Sequence, residues 1–129
     1  MREASAHGAT VEGQFEARIE IVQKRFAAKF ADRMQQTIAA VPEMIGDGTA
    51  PAETVANTYR WLHEICGIAS TIGFQSTGRL ARSCDDLLVG PYRAQRGLSG
   101  AEPAQLSECL ESLRLAAQSE MQILEASRR

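Results

Sequence analysis

Apolar residues recur at three- and four-residue steps through most of this chain, a spacing that stacks side chains along one face of an α-helix and suits no other regular structure. Phe15, Ile19, Val22, Phe26, Phe30, Met34, Ile38 and Val41 keep the step unbroken, so a long amphipathic helix is expected there, with Glu16, Arg18, Lys24, Lys29 and Arg33 facing water. Pro42 to Pro51, with Gly46, Asp47 and Gly48 between them, breaks the period and reads as a first loop. A second helix is expected from a capping Thr49, with Pro51 and Glu53 near its positive end, through to about Gly73. Ser76 or Thr77 restarts the chain, and Leu80, Ala81, Cys84, Leu87 and Leu88 outline a shorter third helix stopped by Gly90-Pro91. After a second loop from Tyr92 to Gly100, the residues Leu106, Cys109, Leu110, Leu113, Ala117, Met121 and Leu124 outline a fourth. Four amphipathic stretches without strand alternation predict an all-α, antiparallel up-down four-helix bundle over residues 13–127, preceded by a flexible N-terminal lead-in over 1–12.

A chain of 129 residues is large enough to bury one core without disulfides or metal. Its formal net charge of -2 and its scattered arginines and lysines give no basic stripe, so no nucleic acid is expected as a partner. No apolar run approaches the ~20 residues of a membrane span, and Met1 to Gly13 has no basic segment followed by an apolar one, so a cytoplasmic protein without membrane attachment is expected. Cys66, Cys84 and Cys109 form no CxxC pair, fit reduced core thiols, and do not join His63 at zinc-ligand spacing, so no metal is expected. His7 falls in the lead-in and is given no role.

Bundles of this size host many activities, so function must come from one site. On the second helix Val55, Leu62, Ile65, Ala69 and Ile72 share the core side, and His63 lies beside that stripe. Ala56 and Arg60 precede it and Gly67 and Ser70 follow it at spacings that meet on a helix surface. Gly67 is costly within a helix, by about 1 kcal/mol relative to alanine, and would leave a notch through which a second body approaches the imidazole. Neutral imidazole is a competent nucleophile near neutral pH without help from a metal. The bland reading of the same spacing is a surface histidine beside a glycine that eases helix packing. Trp61, nearly opposite His63, is expected to pack at the bundle edge in preference to making a dimer contact, and Glu64 is expected to be solvated.

The run His63-Glu64-Ile65-Cys66-Gly67-Ile68-Ala69-Ser70-Thr71-Ile72-Gly73-Phe74 resembles the signature of histidine-phosphotransfer (HPt) domains: histidine, two residues, lysine, glycine, a small-residue stretch, and glycine ten positions after the histidine. His63, Gly67 and Gly73 match it. Arg25-Phe26, Phe30 and Met34 resemble the family's first bundle helix, and Leu80, Ala81, Cys84 and Leu87 its third. The resemblance implies a phosphorelay carrier in two-component signal transduction, whose His63 accepts a phosphoryl group from a receiver-domain aspartate and passes it to another receiver. It implies no enzyme with its own ATP site and no resident cofactor, since the partner receiver holds the magnesium. The partners it implies are response-regulator receiver domains, including that of a hybrid histidine kinase; a monomer is expected over a homodimer. Arg60, Gly67 and Ser70 would form the phosphate environment, and Tyr59, Ile68 and Phe74 an apolar docking patch. Cys66 stands where the family carries its lysine, which places Arg60 first among substitute cations, with Arg79 and Arg82 on the third helix as receiver contacts. Two other classes fit the same residues: an HPt-like scaffold that binds receivers without transferring phosphate, and a helical adaptor bundle unrelated to phosphorelays.

Overall fold

The computed structural model describes residues 11–127, and within them each periodic stretch is a helix. These are α1 (Val11–Ala39), α2 (Thr49–Thr71), α3 (Gln75–Arg93) and α4 (Glu102–Ser127), with a short 3-10 helix (Val41–Met44) after α1. The apolar stripes converge on one core that includes Phe30, Met34, Leu62, Leu88, Leu106, Leu110 and Leu113. Each such side chain contributes about 1.5–3 kcal/mol by leaving water. Contacts at both ends of each neighbouring pair set the directions. Gln23 meets Ile72 while Phe30 meets Trp61; His63 meets Asp85 while Ser70 meets Gly78; Thr77 meets Glu120 while Cys84 meets Cys109. Every neighbouring pair is therefore antiparallel, and the chain is an up-down four-helix bundle.

The α2–α3 contact is lined in part by small residues. A side chain at position 78 would run into Ser70 Oγ, so the absence of one lets the two helices approach. At one end of the bundle the two long loops pair, with Leu98 N–H donating to Met44 O at 2.7 Å and Gly46 N–H to Leu98 O at 3.2 Å. Gly97 sits so close to the carbonyls of Met44 and Gly46 that a β-carbon there would collide with backbone.

Helix ends are closed largely by distant residues. At the start of α3 the Glu120 carboxylate, from α4, accepts from the N–H groups of Ser76 (2.9 Å) and Thr77 (2.7 Å) and from the Thr77 hydroxyl (2.7 Å). These are N–H groups that the helix itself leaves without acceptors. At the end of α2, buried Gln23 donates to Ile72 O at 2.6 Å. Half of a capping box opens α4, where Ser99 N–H donates to Glu102 Oε1 at 2.9 Å. The Arg96 guanidinium and that N–H together hold the Glu102 carboxyl down at about 2.

Four sequence expectations are corrected. Thr49 does not cap α2: Gly48 occupies the cap position at φ 103°, a conformation that favours glycine, and makes no side-chain cap. Gly90-Pro91 does not stop α3, which runs on to Arg93, because a proline in the last turn removes one hydrogen bond while its ring is buried. Phe15 and Val22 are exposed, at 62% and 42%, because α1, at 29 residues, continues past the corner where Gln23 meets Ile72 and outruns the core. Val11 and Glu12 of the expected lead-in belong to α1; residues 1–10, with His7, lie outside the described residues.

Replacing Glu120 with alanine leaves the first turn of α3 uncapped and is expected to lower stability by about 1–3 kcal/mol, read as a reduced urea midpoint with unchanged helical circular dichroism in the folded state.

Candidate functional site

His63 projects from the middle of α2 with 68% of its side chain exposed. Three side chains from two helices fix the ring. Tyr59, one turn earlier, stacks on it with centroids 5.7 Å apart, and Tyr92, carried by the last turn of α3, stacks on Tyr59 at 4.2 Å. Asp85, from the middle of α3, places Oδ2 3.2 Å from His63 Nδ1. Asp85 is nearly buried although its partner is exposed, so the carboxylate is anchored in the fold and the imidazole reaches down to it.

The chemistry of this pair follows from what each group can do. A carboxylate only accepts, so the contact places a proton on Nδ1. In the neutral ring the lone pair is then on Nε2, on the side away from Asp85, where an electrophile carried by another molecule can reach it. If Nε2 forms a bond, the ring becomes cationic and Asp85 stabilises it, as an orienting carboxylate does for a general histidine nucleophile or base. Asp85 Oδ1 is buried and has no hydrogen-bond partner among the described residues.

Gly67, one turn after His63, faces open space, so the expected notch lies next to the imidazole. Ile68 is exposed too, but nine residues past Tyr59 it lies about half a turn round α2 from it, which removes it from the patch beside the ring; Tyr59 belongs to the His63 surface. Phe74 does not: it is 2% exposed and stacks on Phe26 at 5.2 Å, closing the bundle end where α2 turns into α3. Its place in the docking patch is corrected on that ground. Ser70 is turned toward α3, with its hydroxyl back-bonded to Cys66 O at 3.4 Å and pressed against Gly78. Arg60 is held toward the start of α2, donating to Asn57 Oδ1 at 3.2 Å and lying over the Tyr92 ring at 5.8 Å. Trp61 is buried between Phe30 and Arg33, in a packing role.

Arg82 stands where helical registry alone could not put it. The pairs His63–Asp85 and Ser70–Gly78 run along an antiparallel contact, which brings Arg82 opposite Cys66, one turn from Asp85. Its charge is felt there. Burial pushes the Cys66 thiol up, Asp85 adds to the effect, and Arg82 opposes it. Arg79 instead donates to Ser76 Oγ at 3.0 Å, near the start of α3.

Asp85 and Tyr92 are the residues that sequence reasoning missed. Asp85 was detectable in principle, because Ala81, Asp85 and Leu88 share one face, and a carboxylate on an apolar stripe requires a partner. Tyr92 was hidden by the assumption that Pro91 ended the helix.

Two hollows lie off the His63 ring. One is a groove of about 530 Å³ between α1 and α4, lined by Phe30, Met34, Ile38 and Met121; the other, about 650 Å³, lies at the start of α2 beside Arg60, Tyr92 and Arg93. Among the described residues no three histidine, cysteine or acidic side chains are grouped to hold a metal ion, and no helix is long and apolar enough to cross a membrane. The chain matches no protein-family model, no curated protein and no solved structure. Fold and site together define a four-helix bundle bearing an exposed histidine oriented by a buried carboxylate.

Gly67→Ala meets no atom and gains helix propensity, so it is expected to stabilise the protein by up to about 1 kcal/mol in chemical denaturation, evidence that the glycine serves something other than folding.

Proposed function

We propose that the protein is a histidine-phosphotransfer module, a phosphorelay carrier in which His63 receives a phosphoryl group from a receiver-domain aspartate and passes it to another receiver. The observation that carries this reading is the exposed His63 ring, pinned through Nδ1 by Asp85 and bordered by the open surface over Gly67. In the transfer, Nε2 attacks the phosphorus of the receiver's aspartyl phosphate; the N–P bond forms, the P–O bond to the aspartate breaks, and the carboxylate leaves. The ring keeps its Nδ1 proton and gains positive charge, which Asp85 balances. The reverse sequence discharges it to a second receiver. An in-line displacement of this kind needs positioning more than covalent help from the carrier, so the receiver supplies the magnesium and remaining catalytic groups, and this chain needs no ATP site. Such a role belongs in the cytoplasm, with receiver domains as partners.

A phosphorylated imidazole needs a nearby cation, and Cys66 supplies none. Arg82, across the α2–α3 contact from Cys66, is better placed for this than Arg60, whose guanidinium is engaged with Asn57 and Tyr92. Tyr59, stacked on the His63 ring, is the apolar part of the receiver-docking surface, with Arg82 across the α2–α3 contact on its charged side.

Incubation with a panel of phosphorylated receiver domains should place acid-labile phosphate on the wild type and none on His63→Gln. Asp85→Asn and Arg82→Ala should each slow labelling on the order of tenfold, the loss of about one charge-assisted contact, while Arg60→Ala changes it less. Receivers that bind the wild type yet leave it unlabelled would replace the carrier by the non-transferring scaffold; receivers that do not bind at all would leave the unrelated adaptor bundle.

A further inference from the structure

Two of the three cysteines meet between α3 and α4. Cys84, fully buried on α3, has its sulfur 2.9 Å from that of Cys109 on α4. This is shorter than ordinary sulfur–sulfur contact, and only about 0.9 Å more than the ~2.05 Å of a disulfide bond, a difference that small rotations of the two side chains can absorb. Cys109 is half-buried, so a small oxidant can reach one member of the pair, and the partner sulfur is in contact with it from within. Burial and the neighbouring thiol push the Cys84 thiol far up, so Cys84 alone is inert toward reagents in solution.

We propose that Cys84 and Cys109 are a reversible disulfide site that oxidants of the hydroperoxide class close, cross-linking α3 to α4. Peroxide first transfers one oxygen to Cys109, giving a sulfenic acid and one molecule of water (alcohol, from an organic hydroperoxide). The Cys84 sulfur then attacks the Cys109 sulfur; the S–S bond forms, the S–O bond breaks, and the hydroxyl leaves with the Cys84 proton as water. The two thiols lose two electrons and two protons, and the peroxide takes up both. A dithiol reverses the reaction by exchange. The segment so fixed carries Asp85, the next residue along α3, which holds the His63 ring. The site stands on sulfur geometry alone and is independent of the phosphotransfer reading.

The test is peptide mapping of the full chain after treatment with hydrogen peroxide and alkylation of the remaining thiols. Trypsin separates the three cysteines, because arginines at 60, 79, 82, 93, 96 and 114 divide the sequence between them. The expected product before alkylation is a monomer 2 Da lighter that dithiothreitol returns to the starting mass, and after alkylation the peptide Ser83–Arg93 is joined to Gly97–Arg114 while Cys66 carries the alkyl group. Cys66→Ser should form the same bond, and Cys109→Ser should form none. Bridging of Cys66, cross-linked dimers, or sulfinic acid at Cys109 without the 2 Da loss would overturn the assignment. Because Cys109 is half-buried, Cys109→Ser is the variant best able to keep the fold, and the wild-type peptide map decides the question even if Cys84→Ser does not fold.

Discussion

The contact between α2 and α3 is the constraint on which the candidate site depends. Gly78 removes the side chain that would strike Ser70, and the two helices come together along Ser70, Cys66 and His63 on one side and Gly78, Arg82 and Asp85 on the other. At a wider separation, Asp85 would not reach Nδ1 and Arg82 would not act on Cys66. The same antiparallel register brings Tyr92, near the end of α3, onto Tyr59, near the middle of α2, so one packing decision supplies both the carboxylate and the aromatic support of the His63 ring.

The register is secured from outside the pair. Gln23 of α1 ties down the end of α2 through Ile72, and Glu120 of α4 caps the beginning of α3. Both contacts lie at the end of the bundle where Phe74, packed on Phe26, fills the corner between α2 and α3. The opposite end is closed by the paired loops around Gly97. Helix ends left without such acceptors and donors would fray, and the His63 surface would lose its fixed geometry because Asp85 is positioned by α3 as a whole.

The division of labour between polar groups is uneven. Most polar contacts in the protein close helix ends or satisfy a side chain locally, as Thr58 does by bonding Thr54 O and Arg114 by pairing with Glu111. Asp85 is different: it is buried on the apolar stripe of α3, its partner is exposed, and one of its oxygens bonds nothing among the described residues. A buried carboxylate in that condition costs stability. That cost, like the open space at Gly67, falls beside the outward-facing His63, and departures from the best folding sequence are expected where a protein has a function to perform.

Local periodicity was enough to determined the four helices, their order, the bundle class and the outward position of His63 and Gly67, because a 3.6-residue repeat records which face of a helix is buried without reference to its neighbours. Helix ends were less legible: Gly48 in place of Thr49 as cap, α3 continuing through Pro91, and α1 outrunning the core at Phe15 and Val22 depend on how long each neighbouring helix is and where it turns. Tertiary structure alone decided that Phe74 fills the core, that Ser70 faces Gly78, and that Asp85, Arg82 and Tyr92 join the His63 surface. Periodicity gives a side chain's angle about its own helix axis, whereas a site built across two helices also depends on their separation and axial register, and these are set by packing.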